Sequence, residues 1–132
     1  MKTKVENRQT YICIQVSGEF KPKDRDTLDE AKNVILEAFQ QMKENQISKL
    51  LVDASRASTV LDAFDRYYLM SSLAKEQLNF VVNSQIQPFK TAFVTNQEWS
   101  DPQKFEETVA FNRGMDVLIT LDVQEALSWL GV

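Results

Sequence analysis

The chain has no histidine, one cysteine, three glycines and three prolines in 132 residues, and each shortage removes a class of explanation. Without histidine there is no Ser-His or Cys-His pair and no histidine-based zinc site. The lone cysteine, Cys13, cannot close an internal disulfide, and no cysteine cluster stands ready to hold a metal. The scattered glycines spell neither a GxSxG elbow nor a GxxxxGKS/T phosphate loop. No apolar run approaches the ~20 residues that cross a bilayer. Internal repeats, low-complexity tracts and linker-like shifts in composition are missing too. The expectation is a chain that is not an enzyme and that uses no cofactor or metal.

What is present is an ordinary globular composition, 43% hydrophobic and 26% charged. That amount of apolar side chain can build a core without disulfides or metal, so one domain spanning 1–132 is expected. Acidic residues outnumber basic ones 19 to 15, a net charge of −4, which argues against nucleic acid and anionic membranes as partners. The opening MKTKVENRQT carries no apolar stretch of the secretory kind. Cys13 sits in the alternating run TYICIQV, the setting of a small buried thiol in a reducing compartment, so the expected location is cytoplasmic.

Periodicity gives the order of elements. MKTKVE and TYICIQVSG read as two strands joined at Asn7, with Ile12, Ile14 and Val16 on one face. From Pro22 to about Glu44, Leu28, Ala31, Ile35, Ala38, Phe39 and Met42 recur at helical spacing. KLLVD is a short continuous apolar strand of the kind covered on both faces, ending on Asp53. Val60 to Val82 follows as a second long helix, its main face formed by Ala63, Phe64, Tyr67, Met70, Ala74, Leu78 and Val81.

Next come the strand FKTAFVT and a helix in SDPQKFEETVAFNRG, with Asp101 as N-cap, Pro102 at the first position and Asn112, Arg113 and Gly114 closing it. MDVLIT is a last strand. In the closing helix, Asp122 and Glu125 have capping-box spacing and Trp129 is expected to lid the core. The order ββαβαβαβα predicts an α/β fold: a five-stranded mixed sheet, antiparallel at its N-terminal hairpin, with about four helices.

The strand ending VDAS, the long helix after it, and above all FEETVAFNRGMDVLITLDVQEALSWL resemble the SpoIIAA-like, or STAS-like, family of bacterial proteins. The pattern is carried most specifically by Phe105, Thr108, Val109, Asn112, Arg113, Gly114, Glu125, Ala126, Leu127, Trp129 and Leu130. The resemblance implies a single STAS-like domain, a fold shared with anti-sigma-factor antagonists and more distantly with CRAL-TRIO lipid-binding domains. In the antagonists a serine at the start of the helix after the central strand is phosphorylated by a partner kinase. Here LDAFD stands where a DSSG-like turn is expected, and the matching position falls close to Ala63. The resemblance therefore implies a binding module without that phosphoacceptor.

Its candidate docking surface is the loop from Ser55 to Arg66 and the adjoining helix: Asp53, Ser55, Arg56, Ser58, Thr59, Asp62, Asp65, Arg66, Leu69 and Leu73. For the hydroxyls there is a plain account as caps, Thr59 with Asp62 forming a box and Ser55 closing the turn after Asp53. The carboxylates have one too, as a solvated set neutralised by Arg56 and Arg66 or as first-turn acids favoured by the helix dipole. Convergence of Asp53, Asp62 and Asp65 at a strand edge is the one arrangement left to carboxylate chemistry. On the second long helix Leu69, Leu73 and Phe80 form a narrow apolar stripe beside Arg66 and Gln77. It either packs against another helix of the domain or marks a contact surface, as a dimer seam or a lid over an apolar pocket. The rival reading is a carrier of a lipid-like apolar small molecule, held between the sheet and the two long helices.

Overall fold

A computed structural model describes residues 1–21, 24–58, 63–86, 88–96 and 116–132, with side chains throughout except at Arg25, Leu28 and 63–70. Five strands form one mixed sheet in sequence order. They are β1 (Lys2–Asn7), β2 (Ile12–Glu19), β3 (Lys49–Ser58), β4 (Lys90–Val94) and β5 (Asp116–Thr120). The helices among the described residues are α1 (Arg25–Asn45), α2 (Ala63–Ser84) and α3 (Val123–Leu130). The fold is α/β with the expected antiparallel hairpin β1–β2 and parallel pairing from β2 to β5. The helix expected over 102–113 lies outside the described residues.

The hairpin turn is built by Asn7, whose Oδ1 accepts the Gln9 N–H at 2.8 Å, while Gln9 takes a φ of 72°. From β2 onward each strand steps to the next position in one direction, so right-handed crossovers carry their helices to one face. Both α1 and α2 lie there. Val34, Ala38, Phe39 and Met42 of α1 and Leu73 and Ala74 of α2 join Ile12, Ile14, Leu50 and Val52 in one buried layer. Phe39 is fully buried, and its ring lies 5.4 Å from Phe80 and 5.1 Å from Phe89, centroid to centroid. No helix among the described residues is long and apolar enough to cross a membrane.

α3 covers the opposite face over β3, β4 and β5. Ala126 and Leu130 are buried there against Cys13, Leu51, Ala92 and Val94. Trp129, expected as the lid of the core, is half-buried at the rim of this layer, and Lys90 Nζ lies 4.9 Å from its ring centroid. Leu130 takes the inward position because it follows Ala126 by four residues, one helical turn. The helix start is also a variant of the expected capping box. Asp122 accepts the Gln124 N–H at 2.8 Å, but Glu125 does not reach back to the Asp122 N–H. Thr120 stands between them: its Oγ1 accepts the Asp122 N–H at 3.1 Å and donates to Glu125 Oε2 at 3.1 Å.

α1 begins behind Asp24, whose side chain accepts the Asp26 N–H at 3.0 Å. Each of these three helices ends on a left-handed residue, Gln46, Gln85 and Gly131. In each, the next N–H returns to the carbonyl five residues back: Ile47 to Met42, Ile86 to Val81, Val132 to Leu127. These bonds satisfy carbonyls that a helix end leaves open.

On α2 the structure corrects the sequence reading. Leu73, Ala74 and Gln77 are buried and Phe80 and Val81 pack on the core, whereas Leu78 is 54% exposed. The inward face thus runs through the middle of the two stripes read from sequence, with Gln77 near its centre. Gln77 is tolerated because it meets another buried polar group, Thr91, whose hydroxyl donates to Gln77 Oε1 at 3.4 Å, long for such a bond. Leu73 is therefore a core residue and leaves the candidate docking set.

Cys13 is buried as expected. Burial pushes its thiol from the ordinary 9.0 up to about 11; Arg8 pulls against this, and the nearby carboxylates Asp53 and Glu6 add to it. Because folding favours the protonated thiol, this contribution to stability is complete below 9.0 and is lost as pH climbs towards about 11. Only the thiolate attacks a disulfide reagent. At pH 8 the folded protein is expected to react with Ellman's reagent roughly 100-fold more slowly than the chain in denaturant. Complete modification at the denatured rate without denaturant would contradict this burial.

Candidate functional site

The carboxyl ends of the parallel strands are where ligands and partners meet such sheets, and β3 is the strand that differs from expectation there. It does not stop at Asp53. It runs to Ser58, paired with β2 through Glu19↔Ser58, while its pairing with β4 ends at Asp53↔Val94. Between the pairs Gln15↔Asp53 and Ser17↔Arg56 the register shifts by one residue, a bulge in β3 at Ala54 and Ser55.

Asp53 makes that bulge. Its Oδ1 accepts the Ser55 N–H at 3.1 Å and the Ser55 hydroxyl at 2.6 Å. The expected turn closure by Ser55 is present, but as a kink inside a strand. Its consequence follows from the pairing. Asp53, Arg56 and Ser58 share the face of Gln15, Ser17 and Glu19, the side on which α3 packs farther along the sheet. Without the extra residue Arg56 would turn towards the α1–α2 core. Arg56 and Ser58 are exposed, Asp53 is half-buried, and Ala54 and Ala57 point inward.

Sequence reasoning missed Asn96. Beyond the end of β4, its Nδ2 donates to the carbonyl of Ala57 at 2.6 Å and to that of Ser55 at 3.2 Å. A side chain thus occupies the edge of β3 where β4's backbone has stopped. The signal for it was slight: a polar amide directly after the buried run FVT. Next to it, Thr95 donates its backbone N–H to Thr120 at 2.9 Å, and its buried hydroxyl has no partner among the described residues.

The site residues read from sequence therefore divide. Asp53, Ser55, Arg56 and Ser58 come together at the end of β3. Asp65, Arg66 and Leu69 lie in the first two turns of α2, which begins at Ala63. Thr59 and Asp62 lie outside the described residues, and Leu73 is in the core. Among the described residues no group of three or more acidic or cysteine side chains is placed to hold a metal ion.

A second polar group, Lys4, Glu6 and Arg8, lies on β1 and the hairpin turn. Glu6 pairs with both cations, and its carboxyl titrates below the usual range, chiefly through the hydrogen bond from Lys4. These are solvated pairs of the kind that contributes little to stability.

Neither protein-family models nor curated protein sequences match the chain. Its structure is similar to the crystal structure of an anti-sigma factor antagonist from Mycobacterium paratuberculosis, with a TM-score of 0.51 at 13% identity, over 99% of this chain and 94% of that one. At that identity the likeness is one of fold: the chain has a STAS-like α/β fold, shared from end to end with an anti-sigma-factor antagonist.

Proposed function

We propose that this protein is a non-catalytic regulatory module that docks a protein partner at the carboxyl end of β3 and the start of α2. The observation that carries the reading is the likeness to an anti-sigma factor antagonist over nearly the whole of both chains. The local geometry is consistent with it, because the bulge at Ala54 and Ser55 brings Arg56 and Ser58 to the side of the sheet away from α1 and α2, where both are exposed.

The module acts without a phosphoserine switch. The position matching the antagonists' serine falls close to Ala63, the first residue of α2. Ser55 has its hydroxyl committed to Asp53 at 2.6 Å, and a phosphate there would set a dianion beside a carboxylate. Ser55 thus acts as a structural cap.

The test is capture from lysate of the native host on wild-type protein and on the exposed-site variant Arg56→Glu, quantified by mass spectrometry. One protein retained in near-stoichiometric amount by the wild type and reduced at least tenfold on the variant is expected. Identical sets on both baits would remove the docking surface. Native mass spectrometry of the host-purified chain is expected to give a bare mass without phosphate; a lipid-sized adduct would favour the carrier reading instead, and phosphate at Ser55 or Ser58 would restore the switch.

A further inference from the structure

We infer that Asn96 is the positioning residue of this surface: it latches the last residues of β3 in strand conformation and so holds Arg56 and Ser58 where a partner meets them. The inference rests on the docking reading for its functional half and on geometry alone for its structural half.

The geometry begins with a mismatch of strand lengths. β3 has ten residues and β4 has five, and their ladder stops at Asp53↔Val94. Of the five residues after Asp53, Arg56, Ala57 and Ser58 keep their pairing with β2, beside Ser17, Gly18 and Glu19. That neighbour is itself a strand end: Gly18 has a φ of 82°, a conformation suited to glycine. Lys2 of β1 pairs with Ser17, so the sheet beside Arg56 is still three strands wide, and among the described residues it narrows to β2 and β3 at Ala57 and Ser58. A two-stranded edge is marginal by itself, and the bulge behind this one weakens it further.

Asn96 supplies what β4 does not. Carbonyls two residues apart on a strand point to the same edge, and one amide nitrogen spans both, donating one hydrogen to Ala57 and the other to Ser55. Nδ2 has two hydrogens in a fixed plane, so the contact sets spacing as well as attraction. Ser55 is pinned from two sides, since Asp53 accepts its N–H and its hydroxyl. The bulge sets which face Arg56 takes, and the latch keeps the strand from fraying back to the bulge.

Hydrogen exchange on the free protein tests the latch with no partner needed. In Asn96→Ala, the amides of Arg56, Ala57 and Ser58 are expected to lose protection at least tenfold while those of Leu50, Leu51 and Val52 stay within twofold of wild type. Asn96→Asp, which sets a carboxylate against two carbonyls, is expected to lose more at pH 7. Asn96→Ser serves if either variant fails to fold. Unchanged protection at Arg56–Ser58, or an equal fall at Leu50–Val52, would overturn the latch.

The capture assay then separates the two ideas. If Asn96→Ala loosens the strand and lowers capture as Arg56→Glu does, the positioning role stands. Loosening with capture intact, while Arg56→Glu abolishes it, overturns that role. If neither variant alters capture, the docking reading fails and the latch is judged on exchange alone.

Discussion

Phe39→Ala is expected to destabilise the protein by about 3–5 kcal/mol, the range for removing a large aromatic from a packed core. Phe39 is fully buried and sits where three elements converge. It belongs to α1, Phe80 to α2, and Phe89 directly precedes β4, and its ring meets both others in tilted geometry at 5.4 and 5.1 Å. Truncation removes two aromatic contacts, each worth about 0.5–1.5 kcal/mol beyond burial, and leaves a void between two helices that cannot close without moving the sheet. With a total stability of about 5–15 kcal/mol usual for a domain, the variant is expected to fold but to unfold at a much lower urea concentration. An unchanged midpoint would mean that the α1–α2 layer is packed differently.

That layer was the most legible part of the sequence. Ile12, Ile14, Ala38, Phe39 and Met42 announce themselves by spacing alone, because a face buried along its whole length has nothing to interrupt its period. The hairpin, the parallel strands and the cap at Asp122 were legible for the same local reasons. Three features were not. The end of β3 was hidden because Asp-Ala-Ser is chemically a turn, and only the neighbouring strand reveals that the turn is a bulge. Asn96 was hidden because its partners, Ser55 and Ala57, lie about forty residues earlier in the chain, and nothing local distinguishes a bridging amide from a solvated one. On α2 a single buried polar residue, Gln77, broke the apolar stripe in two, so the helix was read with its inward face rotated.

In the candidate site the residue types read from sequence were largely the right ones, and their grouping was not. Asp53, Arg56 and Ser58 share one face because of the bulge, and Ser55 joins them through its bonds to Asp53. Leu73 was drawn to that surface by its place beside Arg66 on a helical wheel, yet Leu73 points into the layer that α2 shares with α1. A wheel gives angular separation without an origin. The origin comes from packing, here from Phe80 against Phe39 and from Gln77 against Thr91.

The rotation of α2 gives the sharpest test of that origin, a pair of matched substitutions five residues apart. Leu73→Asp places a carboxylate at a position 8% exposed, among Val34, Phe39 and Ala74. A buried charge without a partner is among the most costly changes a core can suffer, and a loss above about 4–5 kcal/mol is expected, enough to unfold a domain of ordinary stability. Leu78→Asp introduces the same group on the same helix at a position 54% exposed. The loss there is expected to stay within about 0.5 kcal/mol, as for surface substitutions generally. Circular dichroism of the two variants through urea unfolding decides between the registers. Similar midpoints, or a greater loss at Leu78, would place the second stripe outside and return Leu73 to the docking surface. Leu73→Ala completes the comparison: a neutral truncation at a true core site costs about 2–5 kcal/mol through lost burial and cavity. The charged variant must then fall below it, since it adds the desolvation of a carboxylate to the same lost packing.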